Sequence, residues 1–145
     1  MNKELISEAS RLLNVGTITI KQGFFTTSNE YSSIPEEEYI LQGYNSTTNC
    51  EEFETQEGMY AYIYTYEAAI RAVTEENSDE AIMEIKAIFE VVYTSPEEVN
   101  HEVISEFGNH NVGYHVWPYW REFVQSTCMR LGISAISVPL YKIGN

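Results

Sequence analysis

Hydrophobic spacing changes period along this chain. Leu5, Ile6, Ala9, Leu12 and Leu13 recur at threes and fours, which predicts a short amphipathic helix over 3–13. From Gly16 the period drops to two. Ile18 and Ile20 fall between Thr17, Thr19 and Lys21, the mark of a strand over 16–27. Gly23 interrupts the alternation and predicts a bulge before Phe24 and Phe25. Residues 28–38 read as a polar loop, 38–46 as a short strand and 49–58 as an acidic connection. In 59–73, Tyr60, Tyr62, Tyr64 and Tyr66 alternate with Ala61, Ile63 and Thr65, so one face of a strand carries a tyrosine row. Residues 67–73 are helical by propensity alone, but the alternation ahead of them favours a continued strand. A polar turn, 74–80, leads into the clearest strand, 80–94. Its apolar face is Ala81, Met83, Ile85, Ala87, Phe89, Val91 and Tyr93. The other face, from Ile82 to Val92, mixes Ile and Val with Glu and Lys, as a face covered by a ligand or a second subunit does.

After Tyr93 the period returns to 3.6. Ser95-Pro96-Glu97-Glu98 has the form of an N-cap serine, a first-turn proline and a capping-box glutamate. Val99, Val103 and Phe107 follow, and Gly108 reads as a stop. Residues 109–113 break the pattern. A longer helix then runs to Leu131, with Gly132 ending it. From Ile133 to Asn145 the chain is expected to be extended or irregular, limited by Pro139. Strands first and helices after predict one α+β domain over 1–145, its helices laid on one face of an antiparallel sheet.

Charge narrows the partners. Twenty-two acidic against eight basic residues give a net charge of −14. That removes the basic footprint a nucleic acid requires and disfavours anionic lipid, while basic partners or basic unfolded chains are attracted. No run of apolar residues is long enough to span a membrane and no signal peptide opens the chain, so a cytoplasmic protein with free thiols at Cys50 and Cys128 is expected. His101, His110 and His115 match no metal-ligand spacing. There is no glycine-rich phosphate loop and no nucleophile elbow. Cys128 falls among apolar helix neighbours, where a thiol is inert, and Glu36-Glu37-Glu38 reads as a solvated loop. No cofactor, no metal and no enzymatic activity are expected.

The stretch His115-Val116-Trp117-Pro118-Tyr119-Trp120-Arg121-Glu122 concentrates aromatic surface around one proline. Trp117, Trp120, Val124, Cys128 and Leu131 form one helical stripe, with Tyr119 and Phe123 adjoining it. The arc is wider than one sheet face covers. The helix is therefore an aromatic core helix, or it lies between two subunits, or it borders a binding groove. Pro118 lacks an N–H and crowds the carbonyl of Tyr114, so the helix begins near Trp117 or bends there.

The strand ending Ile88-Phe89, then Val116-Trp117-Pro118-Tyr119-Trp120-Arg121-Glu122, Arg130-Leu131-Gly132 and Val138-Pro139, resembles the SecB-like chaperones. Their aromatic-Pro-Tyr-x-Arg-Glu signature stands at this point. The likeness is most specific over residues 80–140. It implies a SecB-like fold, a four-stranded antiparallel sheet followed by helices packed on one face. It also implies a homo-oligomer (dimer or tetramer) with its long helices between two sheets. The function it implies is ATP-independent holding of unfolded clients, in protein export or toxin–antitoxin control. The alternative is a structural module for one dedicated protein partner. Client contact would fall to Tyr60, Tyr62, Tyr64, Tyr66, Tyr114, Trp117 and Tyr119, the tyrosine row being otherwise sheet packing or an oligomer interface. Trp120, Phe123, Val124, Cys128 and Leu131 would make core or subunit contacts. Export members dock the SecA motor through acids on the sheet. Here Ile82 takes that position between Glu80 and Glu84, so no SecA-docking residue carries over. The family's last helix has no expected counterpart after Pro139.

Overall fold

The tyrosine row and the apolar face of the strand after it decide the architecture, because pairing puts them on the same side of one sheet. The computed structural model describes residues 1–142. Strands β1 (Asn14–Thr27), β2 (Tyr39–Glu54), β3 (Tyr60–Thr74) and β4 (Met83–Ser95) form an antiparallel sheet in the order β1-β4-β3-β2. Tyr62 stands opposite Tyr93, Tyr64 opposite Val91 and Tyr66 opposite Phe89. All six side chains are buried. Helices α1 (Lys3–Leu12), α2 (His101–His110) and α3 (Val112–Leu131) complete the α+β fold, with α2 and α3 against the sheet and α1 against α2. The core joins the inward rows of β3 and β4 to Val103, Ile104 and Phe107 of α2 and to Val116, Trp120 and Val124 of α3.

Since β1 and β2 are opposite edges, residues 28–38 must cross from one side of the sheet to the other. The expected polar loop has an aromatic anchor: Tyr31 is buried and packs on Tyr39 with ring centroids 5.2 Å apart.

Several local expectations give way to tertiary contacts. Residues 49–54, expected in an acidic connection, continue β2 to Glu54. An edge strand has one neighbour and one open side, so it tolerates carboxylates, and Glu52 also accepts a hydrogen bond from Tyr62 (3.2 Å). The β1 register slips between Ile20 and Gln22, at Lys21 rather than at Gly23. Gly23 instead admits the Phe123 ring, whose Cζ would lie 2.9 Å from an added Cβ. Strand β4 starts at Met83 rather than at residue 80.

The helix expected from Ser95 starts at His101. Ser95 ends β4 and its hydroxyl donates to the carbonyl of Glu97 (2.6 Å), while the Val99 N–H donates to Tyr62 Oη (2.8 Å). These bonds hold the intervening segment out of helical geometry. Asn100 caps α2, its side chain accepting from the Glu102 N–H (2.9 Å). Gly108 does not stop this helix. The expected break over 109–113 shrinks to Asn111. Pro118 lies inside α3, which begins at Val112 rather than near Trp117. Gly132, at φ +69°, ends it as expected. The segment after it is irregular to Lys142, and the last three residues of the stretch expected to be irregular, 143–145, lie outside the described residues.

Candidate functional site

Helix α3 presents three flanks. Trp120, Val124 and Cys128 face inward and are buried in the chain's own core. Phe123 is half-buried against Gly23 of β1, and Leu131 is half-buried near the helix end. Tyr114 and Tyr119 are both exposed, at 57% and 49%. They do not share a flank, since five residues turn the helix about 140°. Tyr114 and Trp117 lie together, and Tyr119 is separated from them.

The tyrosine row is not at the surface. Tyr62, Tyr64 and Tyr66 lie beneath the helices, which corrects their assignment to client contact and favours sheet packing. Each phenol has a partner. Tyr64 donates to the carbonyl of Ile104 (2.7 Å) and Tyr66 to Asn45 Oδ1 (2.9 Å), while Tyr62 bridges Glu52 and the Val99 N–H. Burial raises the pKa of all three, which keeps them protonated. Tyr60, at the start of β3, is half-buried.

Beside Tyr114 and Trp117 stands a residue that sequence reasoning missed. Tyr141 packs on Trp117 with centroids 5.3 Å apart and on Tyr114 at 6.3 Å. The segment after α3 turns back along the helix and walls one side of a groove of about 330 Å³ between α3 and the edge strand β2. Gly43, Asn45, Ile70, Trp117 and Trp120 line it. Among the described residues, Lys142 is its one charged lining residue. Val138 is buried there, and the Trp117 indole N–H donates to the carbonyl of Pro139 (2.7 Å). The sequence signal was an apolar Val-Pro-Leu-Tyr run after a helix stop. No periodicity says where such a run docks.

Among the described residues, no helix packs on the opposite face of the sheet. Ile63, Ile88 and Val92 are half-buried there, Arg71 donates to Gln42 (2.8 Å), and Lys21 pairs with Glu90 at 3.6 Å. Ile82 is buried beside the β3–β4 connection.

His110 lies 3.3 Å from Glu106, and His101 is exposed at the start of α2. Among the described residues no three His, Cys, Asp or Glu side chains are grouped to hold a metal, and no helix is long and apolar enough to cross a membrane. The Cys50 thiol is pushed up to about 11, chiefly by burial. His115 is half-buried with Nδ1 2.7 Å from Tyr93 Oη, and burial lowers its pKa below the ordinary 6.5. The unfolded chain therefore takes up this proton more readily. The stability that neutral His115 supports is present above pH 6.5 and is lost as pH falls from there through the depressed folded value. Replacing His115 by Gln is expected to flatten the urea midpoint across that window. A midpoint with unchanged pH dependence would assign the acid sensitivity to another group.

No family model and no curated protein matches the sequence. Among solved structures the chain is similar to Rv1957, a SecB-like chaperone of Mycobacterium tuberculosis in complex with a ChAD peptide from the HigA1 antitoxin Rv1956. The TM-score is 0.72 at 9% identity, over 96% of this chain and 98% of that one. It is also similar to a protein of unknown function from Streptococcus agalactiae, with TM-score 0.45 and 8% identity over 88% and 97% of the two chains. The fold is thus that of a SecB-like chaperone, a four-stranded antiparallel sheet followed by helices on one face.

Proposed function

We propose that this chain is a SecB-like, ATP-independent binding protein that holds extended or partly folded protein segments in the cytoplasm. The observation that carries the reading is the aromatic groove between α3 and β2, with half-buried Trp117 in its lining and exposed Tyr114 beside it against Tyr141. Rigid aromatic side chains gain contact area while freezing few rotors, which suits partners that share chemistry rather than shape. The likeness to a chaperone solved with a peptide supports the same class of ligand. A net charge of −14 keeps such a surface soluble and draws in basic clients. Exposed Ile20, Phe24 and Phe25 on edge strand β1 support a homo-oligomer that covers them. The reading involves no catalysis and no cofactor, and it assigns no residue to SecA.

A second reading is one dedicated protein partner in place of general clients. The modest free volume favours it, since the space of about 330 Å³ left beside the chain's own Val138–Tyr141 admits only a few side chains. Light scattering of a denatured model protein, diluted with an equimolar amount of this chain and no nucleotide, separates the two. General holding predicts suppressed aggregation and a clear loss of suppression in Tyr114→Ala/Trp117→Ala. Aggregation unaffected by the folded wild-type chain would leave only the dedicated partner.

A further inference from the structure

One wall of the groove is the chain's own segment after α3, laid over the Trp117 flank of that helix: Val138 is buried, the carbonyl of Pro139 accepts the Trp117 indole N–H (2.7 Å), and Tyr141 lies against Trp117 and Tyr114. The seat for Tyr141 is shaped to fit. A Cβ on Gly113 would lie 2.6 Å from Tyr141 Oη and 2.7 Å from Tyr66 Oη, so only glycine lets both phenols approach this turn of α3.

We infer that Val138–Tyr141 is a built-in ligand of the groove, a strap that an incoming segment must displace. This rests on the groove being the binding site. It deepens that reading by naming the ligand: an extended, uncharged stretch of apolar residues with a proline and an aromatic. Its backbone carbonyl takes the Trp117 N–H, and its aromatic takes the place of Tyr141. The near-absence of charge among the described lining residues fits such an uncharged stretch at the groove itself, while basic flanks of a client meet the acidic surface around it.

The tether gives the strap its effect. Five residues, Ile133–Ser137, join the docked part to the end of α3 at Gly132. So short a link holds the strap near its seat at an effective concentration on the order of millimolar. A free peptide of the same sequence at micromolar concentration does not displace it. A ligand succeeds by engaging surface beyond the groove as well, which gives the site a threshold against weak segments.

The test uses a fluorescein-labelled peptide of residues 134–142, Ser-Ala-Ile-Ser-Val-Pro-Leu-Tyr-Lys. Its binding is followed by anisotropy with three proteins: the intact chain, the chain lacking residues 138–145, and the full-length variant Val138→Asp/Tyr141→Asp. The second variant unseats the strap without shortening the chain, because an unpaired carboxylate is costly in an apolar groove. Both unseated forms are expected to bind the peptide at least about tenfold tighter than the intact chain. In the intact chain, the Trp117 indole N–H, identified through Trp117→Phe, is expected to resist solvent exchange and to become labile in both variants. Equal peptide affinity in all three, or a Trp117 N–H equally labile in all three, overturns the strap.

The same proteins in the scattering assay separate this inference from the chaperone reading. Peptide binding confined to the unseated forms, with no client held by any form, keeps the strap and removes the chaperone. Equal client holding by all three, with no peptide bound, does the reverse.

Discussion

Trp120→Ala is expected to lower the unfolding free energy by about 3–5 kcal/mol, whereas Tyr119→Ala, one residue away, changes it by no more than about 0.5 kcal/mol. The signature pairs two aromatics of similar size and opposite placement. Trp120 is 2% exposed, stacks on Phe123 with ring centroids 6.2 Å apart and lines the floor of the groove. Removing it deletes a large buried surface and leaves a cavity whose walls are held by β3 and α3. Tyr119 has 49% of its surface in solvent, so its removal uncovers little. Urea midpoints for the two variants, taken at two protein concentrations, check the assignment. A Trp120→Ala loss that shrinks as concentration rises would return Trp120 to a subunit interface. Equal losses for both variants would contradict the placement of α3 on the sheet.

Gly108→Ala is expected to destabilise by about 1–2 kcal/mol, against the sign of helix propensity. Alanine in a helix interior is favoured over glycine by about 1 kcal/mol, so an isolated helix would gain. Here the added methyl would stand 2.8 Å from Cε1 of Tyr64. That ring has little freedom to yield. Its hydroxyl is tied to the carbonyl of Ile104, and its ring packs against Tyr93 and Phe107 with centroids 5.6 Å and 6.2 Å away. The Gly108 carbonyl also accepts a hydrogen bond from Thr47 (2.6 Å), which ties this turn to β2. Overpacking a closed core costs about 1–3 kcal/mol, more than the propensity returns. Asn109→Ala, on the exposed side of the same turn, carries the propensity gain alone and is expected to stabilise by a few tenths of a kcal/mol. If Gly108→Ala raises the midpoint as Asn109→Ala does, Tyr64 has room to move and α2 is not clamped to the sheet at this turn.

The order of the elements and the faces that could be buried are legible in the amino-acid pattern alone. Alternation over 60–66 and 83–93 marked the inward rows of β3 and β4, and the spacing of Trp120, Val124 and Cys128 marked the inward face of α3. These signals are legible because burial imposes the period of the backbone on side-chain polarity. Gly132 was legible for a local reason, as a stop in the left-handed region that glycine enters freely.

Tertiary structure decided the rest. Ser95 has the chemistry of an N-cap and Gly108 that of a stop, yet Tyr62 and Tyr64 overrule both by bonds and contacts from a strand some forty positions away. The tyrosine row read as one surface because alternation specifies a face without saying whether helices will cover it. Antiparallel pairing with β4 put the row beneath α2. Tyr114 stands one residue ahead of the aromatic stretch that holds Tyr119, but helical pitch placed the two on different flanks. Tyr141 joined Tyr114 and Trp117 only through a chain reversal after Gly132. Its docking depends on a groove built from β2, β3 and α3 together, which no window along the chain contains.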